Sequence, residues 1–238
     1  MSETILPVAI LAGGLATRLQ PVTNSVPKAL LDVDGEPFIT HQLRLLHRKG
    51  IERVVLCVGY LGEKIRDYVG SGEQFGVHID YSFDGPALLG TAGAVCQALP
   101  LLGDQFFVLY GDSYLPCDYR RVARAFHDSR KIALMTVFHN DGQWDVSNVE
   151  FAGGKIWAYD KHNRTPRMRH IDYGLGVFEA TAFEQTRSRQ PIDLAAVYQS
   201  LLQRGELAAF EVTDRFYEIG SFEGWRETAE MLKIQNSG

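Results

Sequence analysis

The sequence predicts an α/β fold: a mostly parallel, Rossmann-like sheet flanked by helices, with a small antiparallel insertion. Short apolar segments of strand length alternate with segments of helical periodicity over the first 120 residues. Connections of helix length between successive strands require right-handed βαβ crossovers and therefore a parallel sheet. After about residue 130 the strands follow one another through short turns, which is typical of antiparallel pairing.

The first half of the chain contains four predicted strands and three predicted helices. The first strand is apolar on both faces, as a buried parallel strand is, and stops at Gly13-Gly14. The first helix has apolar residues at helical spacing and ends at Gly50, a residue type that commonly follows a helix. The predicted strands span residues 8–12, 53–58, 78–82 and 105–110, and the predicted helices span residues 37–49, 62–69 and 92–99.

The second half contains five predicted strands and two predicted helices. The strands span residues 132–138, 147–151, 155–159, 174–178 and 208–212, and the helices span residues 194–203 and 223–234. No linker, low-complexity segment or internal repeat divides the two halves, and the hexapeptide repeats of a left-handed β-helix are absent. We therefore expect residues 1–238 to form a single domain with no appended β-helix domain.

The composition is that of a globular protein, with 45% hydrophobic and 22% charged residues among 238. Lys and Arg number 24 against 29 Asp and Glu, and a net charge of −5 gives no general attraction for nucleic acid or an anionic membrane. No apolar run reaches the roughly 20 residues of a bilayer span, and residues 1–14 lack the basic start of a signal peptide. The three cysteines form no CxxC pair. We expect a cytoplasmic protein with reduced thiols.

Segment 11–30, LAGGLATRLQPVTNSVPKAL, combines glycines at a strand end with two cations. Gly13 and Gly14 let a ligand approach the backbone and aim N–H groups at phosphate oxygens. The planar guanidinium group of Arg18, which can donate two parallel hydrogen bonds, and the compact ammonium charge of Lys28 are both suited to binding a polyanion. The spacing matches neither the dinucleotide fingerprint nor the Walker A loop. An exposed turn with ordinary surface cations is the alternative, but the whole combination favours a phosphate site.

Two carboxylates are candidate metal ligands. Asp112 follows an apolar strand, where a carboxylate is costly unless it binds a cation or caps a helix. Glu218 lies in a strand-like stretch that leads to Gly220. Because no suitable His or Cys lies nearby in sequence, these carboxylate ligands suit Mg²⁺ rather than zinc.

Two further segments have two interpretations each. The small residues of LGTAGA, residues 89–94, suit a flat base lying against backbone, or form only a tight turn capped by Thr91. Lys161 lies beside Arg164, Arg167 and Arg169, in a stretch that either lines a phosphate site or is an exposed loop.

Segment 13–28 resembles the signature GGxGTRLxPxTxxxPK of the sugar-1-phosphate nucleotidyltransferases. Other segments resemble motifs of that family in the same order, over roughly residues 5–230. These segments are VDGEPF at 33–38, LGTAGA at 89–94, YGDS at 110–113, Asp160-Lys161 and YEIGS at 217–221.

The resemblance implies a nucleotidyltransferase, GT-A-like fold and a reaction in which an NTP and a sugar 1-phosphate give an NDP-sugar and pyrophosphate. It implies Mg²⁺ as cofactor, held by Asp112 and Glu218. The implied catalytic residues are Arg18, Lys28 and Asp112. The implied nucleotide contacts are Leu11, Ala12, Gly13, Gly14, Thr17, Gly90, Thr91 and Gly111, and the implied sugar-phosphate contacts are Asp160, Lys161, Asp172 and Gly174.

Four positions depart from the family pattern. Ala16 replaces a glycine, so the phosphate loop must accept a Cβ there. Asp160 stands where Glu is common, Asp172 where Asn is common, and Glu218 where Asp is more frequent. Most of these changes lie on the sugar side, so they affect the expected substrate more than the expected reaction.

The LGTAGA loop is similar to the loops of mannose- and heptose-1-phosphate guanylyltransferases, which predicts GTP with a heptose or mannose 1-phosphate as substrates. A cytidylyl- or uridylyltransferase acting on another phosphorylated small molecule is the alternative enzyme. A catalytically silent regulatory partner that senses nucleotide or sugar is the alternative from another class. We expect no nucleic-acid or membrane partner, and homo-oligomerisation is left open.

Overall fold

The computed structural model describes residues 5–186 and 191–236. In chain order its strands are β1 (Val8–Leu11), β2 (Asp32–Val33), β3 (Glu36–Pro37), β4 (Arg53–Val58), β5 (His78–Phe83), β6 (Gln105–Tyr110), β7 (Ser113–Tyr114), β8 (Ala133–His139), β9 (Val149–Ala152), β10 (Lys155–Tyr159), β11 (His170–Glu179), β12 (Leu207–Val212) and β13 (Tyr217–Glu218). Its α-helices are α1 (Phe38–Arg48), α2 (Gly62–Val69), α3 (Gly90–Leu102), α4 (Tyr119–Ser129), α5 (Leu194–Gln203) and α6 (Phe222–Asn236). Short 3₁₀ turns shape the segment between β1 and β2.

Nine of the described strands form one sheet. At its centre β1 pairs in parallel with β4 and β6, and β5 continues the parallel part beyond β4. On the other side β11 joins β6 antiparallel, β8 joins β11 antiparallel, and β12 joins β8 in parallel. The hairpin of β9 and β10 is attached at the start of β11. The antiparallel strands expected as an insertion therefore extend the central sheet itself.

Helices cover both faces of this sheet, because alternate residues of its strands are buried on opposite sides. In β1, Val8 and Ile10 pack in the cluster beneath α1, α2 and α4. Ala9, between them, packs in the cluster beneath α3 and α5. A strand that is apolar at every position is thus buried on both faces, as its sequence predicts.

A third apolar cluster joins the two ends of the chain. Leu19 after β1, Phe38 at the start of α1, Ile219 after β13 and Leu232 of α6 are all buried in it. This packing holds the segment around Arg18 against the segment that contains β13.

Among the described α-helices, α4 is the one that the sequence analysis does not predict, and the short strands β2, β3 and β7 are not predicted either. Helix α4 begins after Asp118, whose carboxylate accepts the backbone N–H of Arg121 at 3.1 Å, and it buries Val122 and Phe126. The four-residue spacing of those two apolar residues and the Asp cap were available signals. Among the residues described, each helix is too short or too polar to cross a bilayer.

Candidate active site

The carboxyl ends of the four parallel strands meet in one cleft, as expected for an open α/β sheet. One part of the cleft, which we call the glycine pocket, lies directly above these ends. It is lined by Leu11, Ala12, Gly13, Gly14, Ala16, Lys28, Ala29, Cys57, Asp84, Leu88, Gly90, Thr91, Ala94, Tyr110, Gly111 and Asp112. The adjoining part, the charged pocket, is lined by Arg18, Tyr110, Asp112, Ser113, Asp145, Val146, Asn148, Lys161, Arg164, Ile171, Asp172, Tyr173, Gly174, Phe216 and Glu218.

Glycines of the first pocket allow close approach of backbone to backbone. A Cβ on Gly111 would collide with the carbonyl oxygen of Leu11, and one on Gly13 would lie 3.0 Å from the backbone nitrogen of Gly59. Gly90 has a φ of +75° at the start of α3, where a Cβ would meet the carbonyl oxygen of Ile192 at 2.6 Å. The wall that a flat ligand would contact is therefore built mainly from backbone and small side chains.

Ala16 occupies the position where a glycine was expected. Its φ is +50° and its ψ is 44°, so an alanine adopts the left-handed conformation just before the turn Thr17–Leu19. Such a conformation costs a non-glycine residue about 1–2 kcal/mol. The loop accepts the Cβ, and the hydroxyl of Thr23 donates to the carbonyl of Ala16 at 2.9 Å.

The two cations of the phosphate segment both reach the cleft. Lys28 lines the glycine pocket, and its Nζ lies 2.9 Å from Oδ2 of Asp112 in a half-buried ion pair. Arg18 lines the charged pocket. Asp112 caps no helix, because it lies in the turn between β6 and β7 and the cap of α4 is Asp118. The structure therefore favours a cation-binding role for Asp112.

Asp112 and Glu218 lie side by side. Strand β13 pairs with β7 so that Glu218 is opposite Ser113, and the backbone N–H of Ile219 donates to the carbonyl of Asp112 at 2.9 Å. A Cβ on Gly220 would lie within 3.3 Å of a carboxylate oxygen of each acid and of a guanidinium nitrogen of Arg18. The pKa of Glu218 is raised, first by burial and then by the charge of Asp112.

These two carboxylates fit one hard cation. Within residues 5–186 and 191–236 no three His, Cys, Asp or Glu side chains are arranged to hold a metal on their own. Mg²⁺ usually keeps several waters and takes one or two carboxylates together with substrate phosphates, so two oxygens from the protein are sufficient. A Cβ on Gly220 would collide with Oε2 of Glu218 and lie 3.3 Å from Oδ2 of Asp112, so the lack of a side chain at Gly220 lets the two carboxylates lie next to each other.

The charged pocket contains three of the four residues expected to contact a sugar phosphate: Lys161, Asp172 and Gly174. Asp160 lines neither pocket. Its carboxylate accepts the backbone N–H groups of His162 and Asn163 at 2.7 and 2.8 Å, which lower its pKa. The structure thus shows Asp160 closing its own turn.

Asp172 is held by three donors inside the charged pocket. Its Oδ2 accepts the hydroxyls of Tyr159 at 3.2 Å and Tyr110 at 3.4 Å, and its Oδ1 accepts the backbone N–H of Gly174 at 3.1 Å. Burial is the largest influence and raises the pKa of Asp172, while nearby Lys161 and the three donors oppose that shift. A β-bulge between Asp172 and Gly176 interrupts the pairing of β11 with β8, and bulges of this kind redirect side chains.

Two expected nucleotide contacts lie differently from the sequence prediction. Thr17 lines neither pocket. Thr91 lines the glycine pocket but does not cap α3, because it lies inside the helix and accepts the backbone N–H of Leu194 at 2.6 Å. The remaining expected contacts, Leu11, Ala12, Gly13, Gly14, Gly90 and Gly111, all line the glycine pocket.

Asp84 is a pocket residue that the motifs do not indicate. It follows β5, lines the glycine pocket, and accepts the backbone N–H of Leu89 at 3.2 Å. Burial raises its pKa. Its position directly after a parallel strand was the available signal, because that is where ligand-binding residues of such sheets lie.

Comparison with known proteins identifies relatives of this chain. A sequence model described as "Nucleotidyl transferase" matches residues 8–144. The chain is 43% identical to N-acetylmuramate alpha-1-phosphate uridylyltransferase of Neisseria meningitidis, over 89% of this chain and 92% of that protein. It is 28% identical to the mannose-1-phosphate guanylyltransferase catalytic subunit beta of Xenopus tropicalis, again over 89% of this chain but only 60% of that longer protein.

Solved structures confirm the predicted fold class. The HddC protein of Yersinia pseudotuberculosis, solved with GMP-PN, superposes with a TM-score of 0.79 at 22% identity, covering 96% of this chain and all of the other. At that identity the likeness concerns the fold alone.

Proposed function

The chain belongs to the sugar-1-phosphate nucleotidyltransferase family, and we propose that it transfers a uridylyl group from UTP to N-acetylmuramate α-1-phosphate, releasing pyrophosphate. The observation that best supports this reaction is the arrangement of charged residues where the two pockets meet. There the cations Arg18 and Lys28 and the carboxylates Asp112 and Glu218 surround the end of the glycine-walled cavity.

The reaction requires positioning and charge neutralisation more than acid–base chemistry. The attacking sugar phosphate is already anionic, so no side chain must remove a proton before its oxygen attacks the α-phosphorus. Arg18 and Lys28 would stabilise the negative charge that develops on the transferring group. Lys161, across the charged pocket, would hold the sugar phosphate in line with the α-phosphorus.

We propose Mg²⁺ as the cofactor, held by Asp112 and Glu218. When bound, this ion would neutralise phosphate charge that otherwise faces two carboxylates at close range. The ion pair between Lys28 and Asp112 gives this carboxylate a counter-charge beside Glu218.

The choice of UTP is supported by the relative with 43% identity, whose name records uridylyl transfer. GTP, the nucleotide predicted from the LGTAGA loop, is the second candidate and has a specific observation in its favour. Asp84 places an acceptor-only carboxylate in the glycine pocket, and the Watson–Crick edge of guanine presents two adjacent N–H donors. Uracil presents one such donor, between two carbonyl groups.

The choice of an acidic sugar is supported by the cations of the charged pocket. Lys161 there lies 3.5 Å from Asp193, whereas Arg164, which lines the same pocket, forms no ion pair with the residues of 5–186 and 191–236. Muramate is the anion of a sugar acid, so it brings a negative charge besides its phosphate. Heptose and mannose 1-phosphates, the sugars predicted from sequence, bring no such charge.

A matrix of pyrophosphate-release assays tests the proposal. UTP, GTP, CTP and dTTP are each combined with N-acetylmuramate, mannose, heptose and glucose 1-phosphates in the presence of Mg²⁺. We expect the highest kcat/KM for UTP with N-acetylmuramate 1-phosphate. Preference for GTP with a neutral sugar would replace these substrates, and no release with any pair would favour the silent regulatory partner.

A matched pair of arginines tests the sugar assignment. Arg164→Ala should raise the KM for the acidic sugar phosphate about tenfold, as loss of a charge-assisted hydrogen bond does. Arg167→Ala is the control, because Arg167 lines neither pocket and pairs with Glu150 at 3.2 Å. Equal effects of the two variants would contradict a contact between Arg164 and the sugar.

A further inference from the structure

Tyr110 is the last residue of β6 and lines both pockets, together with Asp112 two positions later. We infer that Tyr110 is a positioning residue that aligns Lys161 and Asp172 with the nucleotide-binding strand ends. This inference rests on the proposed function, since it assigns the charged pocket to the sugar phosphate. It concerns a side chain to which the family resemblance of segment 110–113 assigns no role.

The hydroxyl of Tyr110 holds Asp172. It donates to Oδ2 of Asp172 at 3.4 Å, and Tyr159 donates to the same oxygen at 3.2 Å. A buried carboxylate that accepts from fixed donors keeps one orientation, because leaving it unsatisfied is costly. Asp172 can then present its remaining acceptor capacity to a hydroxyl or amide N–H of the sugar.

The ring of Tyr110 supports Lys161. The Nζ of Lys161 lies 5.5 Å from the ring centroid, within the range of a cation–π contact. Lys161 also forms an ion pair at 3.5 Å with the carboxylate of Asp193, whose side chain is 60% exposed, and it lies close enough to buried Asp172 to interact with its charge. The ring is therefore the buried surface that directs the ammonium group toward the pocket.

Backbone contacts fix Tyr110 itself. It is paired with Leu11 of β1, the first residue of the phosphate segment. The buried side chain of Gln42 donates to the carbonyl oxygens of Tyr110 at 3.3 Å and of Ser113 at 2.7 Å, on either side of Asp112. On the sugar side, a Cβ on Gly174 would lie 3.2 Å from the Tyr110 ring. The backbone of Tyr110 is thus held between the two pockets, and its ring lies against the side-chain-free face of Gly174.

Three variants separate the two contacts of Tyr110. Tyr110→Phe removes the donor and keeps the ring, Tyr159→Phe removes the other donor to Asp172, and Tyr110→Leu removes donor and ring. We expect the two Phe variants to raise the KM for sugar phosphate by a similar factor of about five. Tyr110→Leu should add about a further tenfold. In Tyr110→Phe and Tyr159→Phe, the Kd for UTP measured alone should stay at the wild-type value.

The control removes a tyrosine hydroxyl elsewhere. Tyr81→Phe removes a hydrogen bond from the Tyr81 hydroxyl to the carbonyl of Gly70, and Tyr81 lines neither pocket. This variant should leave the KM for sugar phosphate and the Kd for UTP unchanged. A double-mutant cycle then distinguishes positioning from general packing. If Tyr110 acts through Lys161, the difference between Tyr110→Leu and Tyr110→Phe should disappear in the Lys161→Ala background.

Two results would overturn this inference. One is an additive effect of Tyr110→Leu and Lys161→Ala, which would mean that the ring acts only through packing. The other is an equal loss of UTP affinity in Tyr110→Phe. Failure of the proposed function is recognised separately, because the wild-type enzyme would then give no turnover with the sugar phosphate at all.

Discussion

The two pockets are built in different ways although they share one cleft. The glycine pocket is formed by backbone and small residues at the ends of adjacent parallel strands, so its shape follows from the sheet. The charged pocket is formed by side chains from β11, from β13 and from the loops around Asn148 and Lys161. A pocket whose wall is built from backbone tolerates few amino-acid substitutions. A pocket whose wall is built from side chains can acquire a different ligand specificity when one of those side chains is substituted. Substrate choice is therefore expected to lie mainly in the charged pocket.

The largest expected effect is at Asp112, where the two pockets meet. Asp112→Asn should lower Mg²⁺-dependent turnover by at least about a thousandfold, because it removes a charged metal ligand and the partner of Lys28. Glu218→Asp should retain a measurable part of the Mg²⁺-dependent turnover, since a carboxylate remains at that position. Steady-state pyrophosphate release over a range of Mg²⁺ concentrations provides the measurement. Comparable activity of Asp112→Asn and wild type would contradict the shared metal site.

The phosphate cations come next in size. Arg18→Ala and Lys28→Ala should each cost about 2–4 kcal/mol of transition-state stabilisation, a loss of roughly 30- to 1,000-fold in kcat. Both side chains are at least partly exposed in the cleft, so thermal unfolding should change little. Near-wild-type kinetics for both variants would contradict the assignment of these cations to the triphosphate. Arg18→Lys is a milder variant that keeps the positive charge and removes only the planar guanidinium group, so it tests the two-pronged contact alone.

A pair of glycines tests the backbone character of the first pocket. Gly111→Ala should destabilise the protein by about 1–3 kcal/mol, because its Cβ would meet the carbonyl of Leu11. Gly14→Ala is the matched control, since a Cβ there meets nothing within 4 Å. The midpoints of chemical denaturation give the comparison. Equal stability of the two variants would mean that the strand ends can separate to admit a side chain.

The smallest expected effect is on the pH dependence of stability, at Asp172. Burial raises the pKa of Asp172 above its ordinary value of 3.8, so the folded state binds this proton more tightly than the unfolded state. The contribution of Asp172 to stability is therefore largest at low pH and is lost as pH rises through the raised pKa.

Asp172→Asn should remove that contribution, so stability measured between pH 4 and pH 8, a range of about four units, should fall less steeply with rising pH than in wild type. The control is Asp160→Asn, because backbone N–H groups lower the pKa of exposed Asp160 and its titration lies below this range. An unchanged slope in Asp172→Asn would show that Asp172 titrates in the folded protein as it does in the unfolded chain.

The different construction of the pockets also decides what the sequence can predict. The glycines, Arg18 and Lys28 lie in one continuous segment after a strand, and parallel strands bring their ends together, so their convergence follows from the pattern. The conformation of Ala16 could not be predicted, because an alanine at φ +50° is unfavourable on its own and is held by its surroundings.

Residues of the charged pocket were harder to predict because their positions depend on tertiary contacts. Strand β11 begins at His170, four residues before the strand predicted from residue 174, and a bulge near Gly174 sets the local geometry. Asp160 was expected at the sugar from the motif pattern, but its local hydrogen bonds hold it in a turn. The arginine-rich stretch after Lys161 was open to two interpretations, and only the folded chain shows that Arg164 lines the pocket whereas Arg167 and Arg169 do not.

The central claim is that the glycine pocket binds the nucleotide and the charged pocket binds the sugar phosphate independently of each other. Lys161→Ala tests this claim most directly. Calorimetry should give the same Kd for UTP in this variant as in wild type, while the KM for sugar phosphate rises about tenfold or kcat falls by a similar factor. Asp84→Asn, in the glycine pocket, should show the reverse pattern, with weaker or altered nucleotide binding and an unchanged KM for sugar phosphate. A Lys161→Ala enzyme that loses UTP affinity as strongly as sugar-phosphate affinity would contradict the division of the cleft into two separately acting pockets.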